Sequence, residues 1–126
     1  MNKRAVGTKY EQEACGYLEK NGFTILEKNF RCRQGEIDIV GRHEGYLVFA
    51  EVKYRADYTS GTAAEAVTPA KQKRICRVAD YYRYRHGISG DSPVRYDVVA
   101  IQGEADGSSA VCWYRNAFDH VFCRRS

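Results

Sequence analysis

The sequence has no C-x-x-C pair, no apolar run long enough to cross a bilayer, no internal repeat and no low-complexity tract. Each absence removes a class of protein. The five cysteines, Cys15, Cys32, Cys76, Cys112 and Cys123, are odd in number and unpaired in spacing, so neither a zinc site nor a disulfide framework is expected, and they suit a reducing cytoplasm. Met1-Asn2-Lys3-Arg4 leads straight into polar sequence without the apolar segment of a secretory leader, so the expectation is a cytoplasmic protein with no membrane partner. His43, in a turn, and His120, near the end, have no neighbours that would suggest nucleophilic catalysis. What is present is ordinary for a globular chain: 126 residues, 44% hydrophobic and 29% charged, enough for one domain over residues 1–126 with no room for a second. A net charge of +4 leans mildly toward an acidic partner.

The informative stretch is Leu47-Val48-Phe49-Ala50-Glu51-Val52-Lys53, an apolar strand pattern that carries a carboxylate and an ammonium near its end. Side chains alternate along a strand, so Phe49, Glu51 and Lys53 share one face and Val48, Ala50 and Val52 the other. Gly35 to Gly41 alternates likewise, with Glu36, Asp38 and Val40 on one face and Ile37 and Ile39 on the other. The short link His43-Glu44-Gly45-Tyr46, whose glycine can take positive φ, predicts an antiparallel hairpin. A turn centred between Glu44 and Gly45 puts Asp38 opposite Glu51 and Glu36 opposite Lys53. Like charges face to face are a liability in a structural sheet and an asset where a divalent cation binds. Two carboxylates suffice for magnesium, which keeps several waters, and a lysine beside them can orient a water or offset charge on a phosphate. Taken alone, Glu51 and Lys53 are better explained as an exposed ion pair of little consequence. Asp38 across the hairpin favours the metal site.

Elsewhere the pattern is helical from Thr8 to about Asn21, with Tyr10, Ala14, Tyr17 and Leu18 at three- and four-residue spacing and Asn21-Gly22 as a stop. Thr8 and Glu11 fit a capping box, but Glu11 also lies on the stripe of Ala14, Cys15 and Leu18, from which it would lean inward. Phe23 to Phe30 reads as a strand, and Tyr54 to Ala64 as a mobile loop at the edge of the proposed site. Thr68-Pro69 opens a second helix, with Thr68 as N-cap and Ile75, Val78, Ala79 and Tyr82 as its buried stripe. That helix is basic, with Lys71, Lys73, Arg74, Arg77, Arg83 and Arg85, a composition that suits either a solvated surface or phosphate contact. Lys71 and Gln72 fall in its first turn, where free amides and the helix dipole also favour anions. Pro93 to Ile101 and Ala110 to Arg115 read as two more strands, paired antiparallel across the turn region Gly103 to Gly107. Asp97, inside the first, is either a further ligand or the partner of Arg95 or of the basic helix.

Taken together, Gly7 to Glu11, Asn29-Phe30-Arg31 with Gly35-Glu36-Ile37-Asp38, Val48 to Lys53, Val67-Thr68-Pro69 with Lys71 and Arg74, and Arg95 to Val99 resemble the YraN family of small bacterial proteins. More distantly the chain is similar to PD-(D/E)xK nucleases and archaeal Holliday-junction resolvases. The resemblance implies an α/β fold with a restriction-endonuclease-like core, a mixed central sheet flanked by helices in the order α-β-β-β-α-β-β. It further implies an endonuclease dependent on Mg2+ or Mn2+, with Asp38, Glu51 and Glu11 as metal ligands and Lys53 as the catalytic lysine. Nucleic acid is the implied partner, with DNA favoured and Lys71, Gln72, Arg74 and Arg77 as its contacts, and there is room for a homodimer. A nucleic-acid-binding module without catalysis and an RNA-processing nuclease are the alternatives. Tyr10 stands where the family usually has a second glycine, and Ile37 where the wider fold has its proline.

Overall fold

The computed structural model describes residues 3–55, 67–103 and 106–121, with side chains from Lys9 onward apart from that of Arg55. Seven elements follow in the order helix α1 (Lys3–Lys20), strands β1 (Thr24–Cys32), β2 (Gly35–His43) and β3 (Tyr46–Arg55), helix α2 (Pro69–Arg85), and strands β4 (Val94–Gly103) and β5 (Ser109–Phe118). The fold is α/β and the element order is the expected one. The five strands form one sheet in chain order, antiparallel throughout except for the parallel pair β3 and β4, which α2 connects.

Alternation places two apolar clusters on the two sides of this sheet. On the α1 side, Ala14, Cys15 and Leu18 pack on Ile39, Val48, Ala50, Val99 and Ile101. On the α2 side, Ile75, Val78, Ala79 and Tyr82 pack on Val40, Phe49, Tyr96 and Val98. Full burial of each large apolar side chain contributes roughly 1.5–3 kcal/mol, and β4, buried along almost its whole length, is the spine of both clusters. Gly41 is required by close approach, since a Cβ there would lie 2.1 Å from Cε1 of Phe23.

The hairpin forms as the turn chemistry predicts. Glu44 and Gly45 both take positive φ, 50° and 84°, which matches the twist of the flanking strands, and Ile39 pairs with Ala50 and Val40 with Phe49 in the expected register. Thr68 caps α2 as expected, its Oγ1 accepting from Lys71 N at 3.2 Å.

Three expectations need correction or restriction. The first helix begins at Lys3, upstream of Thr8, because Lys3-Arg4-Ala5-Val6 are compatible with helix and nothing stops it from extending. Thr8 is therefore inside the helix and not at its N-cap, the position a capping box requires. Ile37 joins the α2-side cluster, apart from Ile39, because β2 parts from β3 after the Ile39–Ala50 pair and the strict alternation lapses there. The anticipated loop from Tyr54 is strand as far as Arg55, and its remainder lies outside the described residues. No described helix is long and apolar enough to cross a membrane.

Candidate active site

The site forms where β2 and β3 separate. The last pair of that ladder is Ile39 with Ala50, and the same register carried one step further sets Asp38 against Glu51. Backbone pairing is replaced there by a side chain: Val52 N donates to Asp38 Oδ2 at 2.8 Å. Glu51 is only 8% exposed, and its Oε1 lies 3.2 Å from Lys71 Nζ in the first turn of α2. Its other oxygen, Oε2, is buried without a hydrogen-bond partner among the described residues. A buried polar atom left unpaired costs roughly 1–3 kcal/mol, more when charged, so the arrangement is unfavourable unless something else fills the gap.

The electrostatics report the same crowding. Burial, reinforced by the Glu51 carboxylate beside it, pushes Asp38 up to about 7 against the opposing pull of the Val52 amide. Burial lowers Lys53, and so does the hydrogen bond it shares with positively charged Lys71. Burial also works against the charge on Lys71, but its bond with Lys53 and the nearby Glu51 outweigh that and raise it. Two carboxylates and two amines thus share one partly buried spot. It opens into a cavity of about 580 Å³ whose wall includes Arg31, Glu36, Asp38, Glu51, Lys71 and Arg74. Arg31 pairs with Glu36 at 3.2 Å on one rim, and Arg74 covers Gly35, where a Cβ would meet its Cγ and Cδ at 3.1 Å.

This donor set suits a hard divalent cation: carboxylate oxygens from adjacent strands, one of them buried and bare, with an open side for water or phosphate. Among the described residues no group of three His, Cys, Asp or Glu side chains converges to hold a metal. Glu11 turns to β1, where Asn29 Nδ2 donates to its Oε2 at 3.3 Å. The pairs Lys28–Ile39 and Phe30–Ile37 set Asn29 across from Asp38, so Glu11 reaches the neighbour of the acidic pair.

A model of the uncharacterised protein family UPF0102 matches residues 10–101. The chain belongs to the UPF0102 family. It is 45% identical over 119 residues to the UPF0102 protein of Lachnoclostridium phytofermentans, covering 94% of this chain and 97% of that one. It is 41% identical to a UPF0102 protein of Nitrosococcus oceani over 91% of this chain and 92% of the relative, and 43% identical to one of Nitrosomonas europaea over 90% and 92%.

In this UPF0102 chain the four basic-helix residues singled out from sequence separate. Lys71 serves Glu51, and Gln72 Nε2 donates to Val67 O at 3.0 Å, tying the helix start to the preceding chain. Arg74 lines the cavity, whereas Arg77 is exposed one turn further along. Sequence reasoning gave Lys71 to phosphate and missed its place on Glu51. The available signal was topological: a helix that links parallel strands starts beside the C-terminal end of the first strand, where Glu51 and Lys53 stand. Arg31 was likewise passed over, because its rim position depends on the β1–β2 pairing, in which it faces Glu36.

Asp97 takes the second of the two roles open to it. Arg95 grips it with two bonds, Nε to Oδ1 at 2.9 Å and Nη2 to Oδ2 at 2.8 Å, and Trp113 Nε1 and the Asn116 amide add bonds of 2.8 and 2.9 Å. The same guanidinium lies 3.0 Å from Nδ1 of buried His43, whose pKa is lowered first by burial and then by the arginine charge. With its charge answered and four donors engaged, Asp97 is a structural carboxylate of the α1-side face.

Proposed function

We propose that this chain is a metal-dependent endonuclease, a single cytoplasmic domain that hydrolyses phosphodiester bonds in nucleic acid, with DNA the favoured substrate. The observation that carries the reading is the bare, buried Oε2 of Glu51 beside Asp38, an acidic pair that is costly alone and suited to Mg2+ or Mn2+. Asp38 and Glu51 are the residues that would hold the ion, while Glu11, the third ligand the resemblance implies, is bonded to Asn29. A bound ion would offset negative charge on the phosphate and acidify water at neutral pH.

The chain's own side chains supply the rest. Arg31 and Arg74 put positive charge on the cavity rim, where they can pair with phosphates that flank the cleaved bond and fix its position. Lys53, with its ammonium destabilised by burial, is suited to hold or pass a proton at Nζ. The open side of the cavity admits a polymer, whereas an enclosed pocket would select a small molecule.

Purified protein offered duplex, branched and single-stranded DNA and structured RNA, each with Mg2+ or Mn2+, tests the reading. Cutting of at least one DNA, lost in Asp38→Asn and Glu51→Gln while binding persists, is the expected result; cutting of RNA alone would make it an RNA-processing nuclease. A specific observation favours a second reading. Lys71 already neutralises part of the acidic pair, and Glu11 is engaged with Asn29, so the site can rest without a cation. A non-catalytic nucleic-acid-binding module would bind the panel in a salt-dependent way, cut none of it and gain no stability from either ion.

A further inference from the structure

Lys71 occupies the position that decides whether the acidic pair is open. Its Nζ lies 3.2 Å from Glu51 Oε1, on the carboxylate whose other oxygen is bare, and its ammonium bonds to Lys53 as well. We propose that Lys71 is the resident counter-cation of the metal-free site, which yields its place to a divalent ion and moves to the phosphate, so that ion and nucleic acid bind cooperatively. The proposal rests on the metal-site reading above and adds a specific role for this chain's own lysine.

The argument begins with charge. With Lys71 in place one carboxylate of the pair already faces an ammonium, so part of its charge is answered. A dication on Glu51 would sit next to an ammonium bound to the same carboxylate, and like charges at that distance in a partly buried site repel strongly. One of the two cations has to leave.

The structure shows which one can. The backbone of Lys71 is fixed, its amide bonded to Thr68 Oγ1 in the helix cap, so departure involves only the flexible four-carbon side chain, which is one-third exposed. The cavity into which it would swing also carries Arg31 and Arg74. A third cation among them is unfavourable while the cavity holds only water and favourable once a phosphate lies there. Metal binding therefore pushes Lys71 toward a place that phosphate makes comfortable, and each ligand assists the other by the same factor. An ordinary ion pair tying α2 to β3 would have no such coupling.

The test is calorimetric titration of the full chain with Mn2+, with and without a short phosphorothioate DNA duplex that resists cleavage. Wild type should bind Mn2+ weakly alone and about tenfold more tightly with the duplex, within the range of ordinary coupling. Lys71→Met should bind Mn2+ alone about tenfold more tightly than wild type and gain little from the duplex. Lys71→Gln, neutral but polar, should behave in the same way and covers the case in which the methionine variant folds poorly. Equal or weaker Mn2+ binding by both variants, with binding still lost in Asp38→Asn, overturns the counter-cation role and leaves the metal site standing. If neither wild type nor the variants bind Mn2+ in a manner that depends on Asp38, the metal reading and this proposal fall together.

Discussion

Asp97 and Glu51 are both buried carboxylates on neighbouring strands of one sheet, 1% and 8% exposed, and they are treated in opposite ways. Asp97 faces the α1 side and is answered in full: a two-pronged arginine, an indole N–H and a backbone amide account for four bonds. Glu51 faces the α2 side with one oxygen against a movable lysine and the other without a hydrogen-bond partner among the described residues. A low-dielectric interior penalises unanswered charge heavily, so the contrast separates a carboxylate whose charge the fold answers from one whose charge it answers only in part. Burial alone does not distinguish them; the bonds that remain unmade do.

The largest expected effect comes from attacking the satisfied side. Asp97→Ala strands Arg95 in the interior and should cost about 3–5 kcal/mol, as removal of one partner from a buried ion pair does. Urea unfolding checks this. Glu51→Gln should change stability by no more than about 1 kcal/mol, since the partner it leaves behind, Lys71, is one-third exposed and can be hydrated. Comparable losses in the two variants would erase the distinction. Next in size is a kinetic effect confined to the open side. Lys53→Ala should slow cleavage about a hundredfold, close to 2.7 kcal/mol in barrier, while Mn2+ still binds, which single-turnover assays alongside metal titration would read.

A smaller effect sharpens the contrast through pH. Asp38 is pushed up to about 7 in the folded chain, against about 3.9 in an unfolded one, so between these values the native state holds a proton that the unfolded chain releases. Its contribution to stability therefore falls as pH rises from about 4 to 7 and is least favourable above 7. Three units would be worth about 4 kcal/mol as a ceiling, and on the order of 1–3 kcal/mol is expected because the cavity is open to water. Asp38→Asn keeps an oxygen for the Val52 amide and removes the titration. It should be more stable than wild type at pH 8, with the gap closing toward pH 4. Thermal melting across that range decides it, and a constant gap would mean that Asp38 carries no such strain.

How far these two carboxylates could be told apart from sequence differs as well. The acidic pair was legible because a hairpin is local: Glu44-Gly45 sets the turn, the turn sets the register, and the register sets Asp38 against Glu51. Thr68-Pro69 announced the start of α2 for the same reason, a cap being decided within a few residues. What stayed hidden depends on distant chain. Asp97 draws donors from β5, 16 and 19 residues away, so its two readings could not be separated. Lys71 meets Glu51 only because the parallel crossover brings the start of α2 to the end of β3. Thr8 misled through the opposite fault, a local motif with good spacing that lies inside a longer helix.

The smallest effect concerns where nucleic acid lies relative to the open carboxylates. Arg74 lines the cavity and Arg77 follows one turn later, whereas Arg85 stands near the end of α2, roughly 16 Å along the axis from Arg74, with Nη1 at 3.4 Å from Tyr81 OH. If a strand enters the cavity and runs along the first turns of α2, Arg74→Ala and Arg77→Ala should each lower the salt dependence of binding by about 0.7–0.9 of a logarithmic unit, the share of one lost phosphate contact. The loss should be alike for any sequence, because phosphates carry none. Arg85→Ala should leave the slope unchanged. Fluorescence anisotropy of a labelled DNA over a salt series measures all three. A slope that falls for Arg85→Ala but not for Arg74→Ala would put the strand at the far end of the helix, away from Glu51, and would leave the acidic pair without a substrate to act on.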